Sequence, residues 1–492
     1  MTDATKSPPA FPAAKLFVNG EFVDPSDGAT FDVVDPTTSA VCYRAPSASR
    51  EDVERAVRAA RKAFDEGKWA TTSAASRAKI VRRFGEKLLE RREAIALVET
   101  YENGKLYRDA LAEDVSAAAG ALQYFASLAD KLTGETLPVR GDFLTYTLRE
   151  PLGVVAAIVP WNFPLSLAAW KLGPALAAGN TVVLKPSELT PATAIMLAEC
   201  ARDAGIPAGV LNVVPGLGAV AGDALATHPD VDHVAFTGST RTAKALLRAS
   251  AESNLKTLSL ELGGKSPQII LSDASLDEAV EACVWGIFSN KGEVCSAGSR
   301  VLVERSIYHW FVDRVAERAA RIKLGDPRDP ASEMGPMVSS RQLDNAMGFI
   351  ARAIDGGARL VVGGERDESG ANGAGYFLRP TVFADVRVGS ELEQEEVFGP
   401  VLACVPFDSV DEAVRIANGV RYGLAAGVWT KDTARAHAIA RRIRAGVVWL
   451  NTYDQFDTAA PFGGYKQSGW GRDLSPAAFD SYTQKKCVWT RL

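Results

Sequence analysis

Short apolar runs alternate with amphipathic segments along most of the chain, and this alternation predicts its fold. From position 151 onward, each apolar run ends at a proline, a glycine or a small polar residue. The runs are VVAAIV at 154–159, TVVL at 181–184, LNVV at 211–214 and DHVAF at 232–236. Unbroken β-branched runs between helices are typical of parallel strands covered on both faces. We therefore predict an α/β doubly wound nucleotide fold for this region.

A second βα series follows the first one. Its strands are predicted near 268–271, 300–303, 401–406, 425–429 and 447–450. The chain has 492 residues, and domains commonly contain roughly 100–200 residues. The second series is therefore expected to form an α/β domain of its own.

The N-terminal part of the chain shows a hairpin followed by helices. Asn19-Gly20 separates two short apolar runs, and both residues tolerate the positive φ of a tight hairpin turn. A helix is predicted after Ser49, which can cap an amphipathic segment. Two further helices are predicted around 76–92 and 109–132.

Two strand-like stretches lie outside both α/β series. Alternating polar and apolar residues predict an exposed strand at 143–150 and another at 482–492. We expect these two strands to pair as an arm, either within one subunit or between subunits.

The composition narrows the classes of function. With 47% hydrophobic residues, 23% charged residues, a formal net charge of −5 and no polybasic run, the chain is not expected to bind nucleic acid. No apolar run approaches the roughly 20 residues that span a bilayer, and the N-terminal stretch lacks an apolar core of signal-peptide type. We expect a cytoplasmic protein without a membrane partner.

Cysteine and histidine usage argues against a metal site. The six cysteines are scattered without CxxC pairs, and none of the four histidines is grouped with a second ligand at metal spacing. No metal is therefore predicted. A cysteine nucleophile in this chain is expected to work with a carboxylate or water as base, and not with a neighbouring histidine.

Unusual residues follow the first two predicted strands, at the sheet edge where open parallel sheets bind ligands. PWNFP at 160–164 combines two stiffening prolines with the amide of Asn162, and KPSE at 185–188 places a cation beside an acid. Taken singly, the first segment is also compatible with a rigid turn, and the second with a solvated helix cap.

Two further strand ends suit an anion. PGLGAVAG at 215–222 supplies glycines that let the backbone approach a phosphate, although its GxGxxxG spacing is not the dinucleotide fingerprint. TGST at 237–240 places small hydroxylated residues at a predicted helix N-terminus. Four strand ends with compatible chemistry favour a nucleotide site more strongly than any one of them does.

Glu261 and Cys295 are candidate catalytic residues. Glu261 ends a predicted strand, and the two glycines after it would let its carboxylate swing, although it could also pair with Lys265. Cys295 lies in FSNKGEVCSAGSR at 288–300. Most free cysteines are small buried hydrophobes, but the glycines and small residues here suggest a polar backbone nest that favours the thiolate.

Two late segments complete the set. EEVFGP at 395–400 places acids and an aromatic residue immediately before a predicted strand. PFGGYKQSG at 461–469 is too rich in glycine for a packed element, so we expect it to line a cleft or to join domains.

Seven segments, in this order and spacing, resemble the NAD(P)-dependent aldehyde dehydrogenase superfamily. They are PWNFP, KPSE, FTGST, ELGGKS, NKGEVCSAGSR, EEVFGP and PFGGYKQSG. The resemblance implies a Rossmann-like cofactor domain, an α/β catalytic domain and a β-strand oligomerisation arm. It predicts an NAD(P)-binding domain at 1–134 and 151–261, a catalytic domain at 262–474, and the arm at 135–150 and 475–492.

The resemblance also implies a mechanism. Cys295 would attack the aldehyde carbonyl, and the side-chain amide of Asn162 and the backbone N–H of Cys295 would hold the resulting oxyanion. Hydride transfer to the nicotinamide would leave a thioester. Water activated by Glu261 would then hydrolyse this thioester, so that the product is a carboxylic acid.

The cofactor implied is NAD, with NADP kept open. Lys185 and Glu188 would hold the adenosine ribose, Ser239 the pyrophosphate, and Glu396 the nicotinamide ribose, with Phe398 beside it. Glu188 would repel the 2′-phosphate of NADP, although Lys185 could partly compensate. The other predicted cofactor contacts are Ile158, Pro160, Trp161, Asn162, Ser187, Gly218, Phe236, Gly238, Glu261, Leu262 and Gly263.

The substrate predicted from the resemblance is an apolar or aromatic aldehyde. The residues at substrate-tunnel positions are Phe163, Leu167, Trp170, Phe456 and Phe462, with Val294 and Ser296 flanking the thiol. A core-packing role for some of them stays open. The cysteine segment also carries Lys291 where many relatives have glutamine, which leaves the choice of aldehyde open.

Two other functions are compatible with parts of the pattern. A CoA-acylating dehydrogenase would use the same thioester but release it to a thiol, and it could dispense with a base such as Glu261. A non-catalytic binding protein would have a broken site, whereas Cys295, Glu261, Asn162 and Lys185 are all present. Assembly as a homodimer or homotetramer is expected.

Overall fold

The computed structural model of the protein describes residues 8–492, whose strands form two large sheets and two small ones. Residues 1–7, with which the predicted cofactor domain begins, lie outside the described residues. In the described part, strands β1 to β20 are, in order, Leu16–Val18, Glu21–Val23, Thr30–Val34, Val41–Pro46, Thr136–Leu137, Phe143–Pro151, Val154–Ile158, Thr181–Lys185, Leu211–Val213, His233–Gly238, Thr257–Leu262, Pro267–Ile270, Arg300–Glu304, Arg359–Val362, Thr381–Ala384, Val401–Phe407, Ala425–Trp429, Val447–Leu450, Gly469–Trp470 and Thr483–Arg491.

Helices cover both large sheets. Over residues 8–492, helices α1 to α15 are, in order, Arg50–Asp65, Ala74–Glu90, Arg92–Asn103, Tyr107–Asp109, Val115–Leu128, Pro164–Ala178, Ala192–Ala204, Asp223–Thr227, Thr240–Glu252, Leu276–Phe288, Tyr308–Ala320, Ser340–Asp355, Glu391–Gln394, Val410–Asn418 and Thr433–Ala440. Short 3₁₀ or π-helical turns occur at Ala110–Asp114, Ala129–Lys131, Gly218–Gly222, Ser289–Gly292, Arg305–Ile307, Gly370–Ala374, Lys466–Ser468 and Pro476–Ser481.

The predicted N-terminal elements are confirmed. Strands β1 and β2 form the hairpin around Asn19-Gly20, where both residues have positive φ. Ser49 caps α1 in a capping box, because its hydroxyl accepts from the Asp52 N–H while the Asp52 carboxylate accepts from the Ser49 N–H. Helices α2 and α5 cover most of the segments predicted around 76–92 and 109–132.

The first large sheet is doubly wound, as predicted. Its order is β19-β11-β10-β7-β8-β9-β1-β2, and the strands from β11 to β9 are parallel. In chain order, β8 and β9 are added on one side of β7, and β10 and β11 are then added on its other side. The carboxyl ends of β7 and β10 therefore border the crevice in which such sheets bind ligands.

Successive side chains of the central strands enter two different cores. Val155 and Val182 pack under α2, α5, α6 and α7, whereas Val154 and Val183 pack under α1, α8 and α9. All four valines are fully buried. This burial on both faces explains why the strands appear in the sequence as continuous apolar runs.

The second large sheet has the order β14-β15-β16-β13-β12-β17-β18, and only β14 runs antiparallel to its neighbour. The chain crosses from the first sheet to the second between β11 and β12, through Gly263 and Gly264. A Cβ on Gly264 would lie 2.6 Å from the carbonyl oxygen of Cys295. The two sheets thus meet where only glycine fits.

The two strands outside both α/β series pair with each other in the same chain, as expected. β6 and β20 are antiparallel along their whole length, from Phe143 opposite Arg491 to Pro151 opposite Thr483. β19 hydrogen-bonds to β11, so part of the predicted catalytic region 262–474 extends the first sheet. The division into domains stays a prediction.

The described residues show no metal cluster and no membrane helix. Within residues 8–492, no three or more His, Cys, Asp or Glu side chains are grouped so that they could hold a metal ion. In the same range, no helix has the length and apolar character needed to cross a bilayer.

Phe125→Ala is expected to lower the free energy of unfolding by about 3–5 kcal/mol, measured by chemical denaturation. Phe125 is fully buried, and its ring meets that of Phe479 edge to face at 5.5 Å. Val388 is 45% exposed, so Val388→Ala is a control that should change stability by less than about 0.5 kcal/mol. Equal stabilities of the two variants would contradict this view of the core.

Candidate active site

A cavity of about 500 Å³ lies at the carboxyl ends of the strands of the first sheet, where the second sheet closes over them. This volume is within the usual range for small-molecule sites, roughly 300–1,000 Å³. The residues that line it include Trp161, Asn162, Ser239, Glu261, Cys295 and Glu396. The structure thus brings the three predicted catalytic residues together with many of the predicted cofactor residues.

Cys295 is positioned by a turn that follows α10. Asn290, Lys291 and Gly292 have φ values of 42°, 59° and 70°, so three consecutive residues adopt the left-handed conformation. Residues other than glycine rarely do so. Cys295 follows this turn and packs, partly buried, against the apolar group formed by Phe462 and its neighbours.

The prediction that this segment favours the thiolate is wrong for the site as it stands. Burial raises the pKa of the Cys295 thiol well above its usual value, and the carboxylates of Glu261, Glu396 and Asp454 raise it further. The N–H of Ser296 opposes this increase only weakly. The thiol therefore requires a nearby base before it can act as a nucleophile.

Asn162 is held beside the cysteine segment. It is 2% exposed, and its Nδ2 donates to the carbonyl oxygen of Glu293 at 3.0 Å. The Asn162 carbonyl oxygen accepts from Nδ2 of Asn290 at 3.1 Å. A side-chain amide has two N–H bonds, so one of them is used to fix the group and the second is left for a ligand.

Glu261 is a buried carboxylate without a hydrogen-bond partner. Neither of its oxygens has a partner among the residues that the structure describes, and the residue is 4% exposed. Burial raises its pKa well above the usual value, and the charge of Asp473 adds to the effect. Lys171, whose Nζ donates to Asp473 at 2.6 Å, partly offsets both influences. A basic carboxylate facing a cavity is suited to accept a proton.

The glycine-rich segment at 461–469 corrects a second prediction. It is packed closely, since a Cβ on Gly463 would lie 2.6 Å from Oε1 of Glu261, and one on Gly446 would lie 1.6 Å from the Gly463 carbonyl oxygen. The expectation that the segment is too rich in glycine for a packed element is therefore wrong, whereas the expectation that it lines a cleft or joins domains is not contradicted.

The predicted ribose-binding residues differ in their exposure. Lys185 is 3% exposed, and its Nζ donates to the Pro186 carbonyl at 2.7 Å and lies 3.6 Å from Oε2 of Glu188. Glu188 lines the cavity and is partly exposed. The buried Lys185 ammonium therefore lies beside the Glu188 carboxylate without lining the cavity itself.

The predicted nicotinamide-side residues also meet. Oε1 of Glu396 accepts from the Gly264 N–H at 2.9 Å, and burial raises the pKa of this carboxyl to about 7. The Phe398 ring packs edge to face on Trp161 at 5.3 Å. Ser239, which also lines the cavity, caps α9 by accepting from the Thr242 N–H at 3.2 Å.

Not every predicted cofactor contact lines the cavity. Further lining residues from the predicted set are Pro160, Ser187, Gly238, Leu262 and Gly263. Ile158, Lys185, Gly218 and Phe236 do not line it. Phe236 packs against Gly238, where a Cβ would lie 2.5 Å from the ring.

Three of the predicted substrate residues form one aromatic group. Ring centroids of Trp170, Phe456 and Phe462 are 5.4–6.3 Å apart, and Trp170 and Cys295 both pack against the apolar cluster that contains Phe462. Leu167 lines the cavity. This arrangement places an apolar wall beside the thiol.

The remaining predicted substrate residues have structural contacts. Phe163 lies under the ammonium of Lys105, which is 3.9 Å from the ring centroid, and Val294 packs in a core of the second sheet. Ser296 is fully buried and donates to Oδ1 of Asp454 at 2.9 Å. Their role toward a substrate stays a prediction.

Some residues of the site had no signal in the sequence. Lys171 and Asp473 are far apart along the chain and belong to no motif, and Asp454 follows β18, whose end has no recognisable motif. Gln342 and Asn345 line the cavity from α12. Only their charge or polarity could have identified them, and such residues are common on any surface.

Comparisons with known proteins agree with one another. The model described as "Aldehyde dehydrogenase family" matches residues 22–488. The mitochondrial benzaldehyde dehydrogenase of Antirrhinum majus is 43% identical over 492 residues, which cover 100% of this chain and 91% of that protein.

Solved structures are similar over nearly the whole chain. The NAD⁺ complex of an aldehyde dehydrogenase from Bacillus cereus has a TM-score of 0.96 at 45% identity, covering 100% of this chain and 99% of that one. A mutant of the P. syringae indole-3-acetaldehyde dehydrogenase AldA, in complex with NAD⁺ and IAA, has a TM-score of 0.95 at 47% identity, covering 97% of each chain.

Asp454→Asn is expected to accelerate alkylation of Cys295 by iodoacetamide about two- to fivefold at pH 8, measured on the Cys295 peptide by mass spectrometry. The pKa of Asp454 is raised to about 6, so this carboxyl is ionised at pH 8 and raises the pKa of the thiol. The substitution would remove that charge, which increases the thiolate fraction. Asp457→Asn, in the same loop, is the matched control and should have no effect; an unchanged or slower reaction in Asp454→Asn would contradict this electrostatic account.

Proposed function

Since this chain belongs to the aldehyde dehydrogenase family, we propose that it oxidises an aldehyde to the carboxylic acid with NAD, through a covalent intermediate on Cys295. One observation carries the proposal: the thiol of Cys295, the amide of Asn162 and the unpartnered carboxylate of Glu261 share one cavity. A nucleophile, an oxyanion donor and a base are the groups that acyl transfer through a thioester requires.

The first step proposed is attack of the Cys295 sulfur on the aldehyde carbon. Because the resting thiol has a raised pKa, its proton must pass to a base as the S–C bond forms. The oxyanion would be held by the free N–H of the Asn162 amide and by the Cys295 backbone N–H. A preorganised donor of this kind commonly contributes about 3–4 kcal/mol.

The second half of the reaction requires a general base. When bound, NAD⁺ supplies the acceptor for the hydride that leaves the substrate carbon. Water then attacks the thioester, and Glu261 would take a proton from that water. Its burial and the nearby Asp473 raise its pKa and so make it a stronger base, although a smaller fraction is ionised at neutral pH. The rate of hydrolysis should therefore rise with pH.

The cavity is suited to a dinucleotide. Glu188 and Glu396 supply carboxylate acceptors for ribose hydroxyls, and Ser239 stands at the N-terminus of α9, where an anion is favoured. A free carboxylate at Glu188 would repel a 2′-phosphate, which supports NAD over NADP. The similar B. cereus and P. syringae structures, which are complexes with NAD⁺, are consistent with this preference.

We further propose an apolar or aromatic aldehyde as substrate. The wall of Trp170, Phe456 and Phe462 beside the thiol supports this class, because aromatic rings pack well on one another. Two similar proteins are named for benzaldehyde and indole-3-acetaldehyde, both of which are aromatic.

The proposed assembly is a homodimer or homotetramer. The β6–β20 arm carries the exposed apolar side chains of Phe143, Leu144, Leu148 and Trp489. Exposed apolar side chains on a strand pair are suited to burial against another subunit.

Cys295→Ala is expected to lower aldehyde-dependent NADH formation to background, because no other group can form the covalent intermediate. Cys487→Ala is the matched control, since this exposed thiol lies on the arm, and it should retain full activity. Free acid is the expected product with or without added coenzyme A. An undiminished rate in Cys295→Ala would contradict the mechanism, and acyl-CoA as product would indicate an acylating dehydrogenase instead.

Glu188→Gln is expected to raise the ratio of kcat/KM with NADP to kcat/KM with NAD about tenfold, because it removes a charge that repels the 2′-phosphate. Steady-state kinetics with one aldehyde and both cofactors measure this ratio. Glu252→Gln, at the far end of α9, serves as the control. A ratio that does not change would argue against Glu188 as the ribose-binding residue.

A further inference from the structure

Lys291 is a buried cation behind the active site that the proposed mechanism does not use. It is 1% exposed. Its Nζ donates to Oδ1 of Asn103 at 2.6 Å, to the Asn103 carbonyl at 3.2 Å and to Oδ1 of Asn290 at 2.8 Å, and it lies 3.3 Å from Oε2 of Glu293. Burial of an ammonium is costly unless its donors are used, and here they are used.

The partners of Lys291 are also the residues that hold Asn162. Nδ2 of Asn103 donates to the Trp161 carbonyl oxygen at 2.7 Å. Asn290 donates to the Asn162 carbonyl oxygen, and the Asn162 amide donates to the Glu293 carbonyl oxygen. The backbone on both sides of the Asn162 Cα, and the amide itself, are therefore fixed by three residues that each contact Lys291.

The backbone conformation adds a second reason to consider Lys291. Asn290 and Lys291 both have positive φ, and such residues persist where surrounding contacts over-determine the conformation. The bonds from the Lys291 ammonium to Asn103 tie this left-handed turn to the last residue of α3. The turn leads directly into Glu293 and then Cys295.

We propose that Lys291 is a positioning residue that aims the Asn162 amide at the oxyanion, acting through Asn103, Asn290 and Glu293. The proposal rests on the proposed function, in which Asn162 binds that oxyanion. An oxyanion donor is effective only when it points to the position that the charged oxygen takes. Misplacement of a catalytic group by 1 Å can lower a rate on the order of 100-fold.

A double-mutant cycle on kcat tests this link. In the wild-type background, Lys291→Met is expected to lower kcat for aldehyde oxidation about 10- to 100-fold. In an Asn162→Ala background, where no amide remains to be aimed, the same change should lower kcat less than about threefold. Equal losses in the two backgrounds would overturn the proposal. The Asn162→Ala single variant tests the proposed function separately, and full activity in it would overturn both.

A second readout separates aiming from general damage to the cysteine segment. Alkylation of Cys295 by iodoacetamide forms no oxyanion, so Lys291→Met should alkylate within about threefold of the wild-type rate. A loss of alkylation parallel to the loss of kcat would show that Lys291 serves the cysteine segment as a whole, and would overturn the proposal.

Lys256→Met controls for the loss of a buried cation elsewhere in the protein. Lys256 is 4% exposed and donates to the Ala226 carbonyl at 2.7 Å and to Ser253 Oγ at 2.8 Å. Lys256 directly precedes β11, whereas Glu261 lies near the other end of this strand. At a rise of ~3.3 Å per residue, the two residues are about 16 Å apart. Lys256→Met should leave kcat unchanged.

If Lys291→Met does not fold, the double variant Lys291→Met/Glu293→Gln removes both charges and leaves no unpaired buried carboxylate. Circular dichroism and the thermal midpoint establish that it is folded. Its kcat is expected to fall by the same 10- to 100-fold, since the bonds to Asn103 and Asn290 are still missing. A folded double variant with wild-type kcat would overturn the proposal.

Discussion

The close passage of the backbone at Gly263 and Gly264 is the constraint on which the site depends. A Cβ on Gly263 would lie 2.1 Å from Oε2 of Glu396, and one on Gly264 would lie 2.6 Å from the carbonyl oxygen of Cys295. The Gly264 N–H also donates to Glu396. Because no side chain intervenes, the two sheets approach closely enough for one cavity to contain groups from both.

That closeness has an electrostatic consequence. The cavity brings together the thiol of Cys295 and the carboxyl groups of Glu261 and Glu396, and burial raises the pKa of all three. Groups that are costly to ionise when buried hold protons more strongly, which is typical of sites that move protons. Lys171, which pairs with Asp473 behind Glu261, limits the increase in the pKa of Glu261, whereas the charge of Asp473 adds to it. Packing and acid–base chemistry are therefore set by the same geometry.

Much of the fold was predictable, because burial leaves a direct trace in the order of residues. The strands β7, β8, β12 and β16 appear as apolar runs, since both of their faces are covered. The apolar pattern does not predict the strands β3, β4 and β5, because they are short or partly exposed and carry mixed side chains. β19, with only the two residues Gly469 and Trp470, has no pattern at all; it pairs with β11 through tertiary contact.

The sequence by itself determined the family and the candidate residues for its chemistry, because local segments place Cys295, Glu261 and Asn162 in recognisable surroundings. Only the tertiary structure decided how those groups behave. The pKa of the Cys295 thiol depends on burial and on carboxylates distant along the chain, so local composition suggested the opposite direction. The contacts of Lys291 with Asn103 likewise join residues 188 positions apart. Desolvation and charge act through space, and a linear pattern records neither.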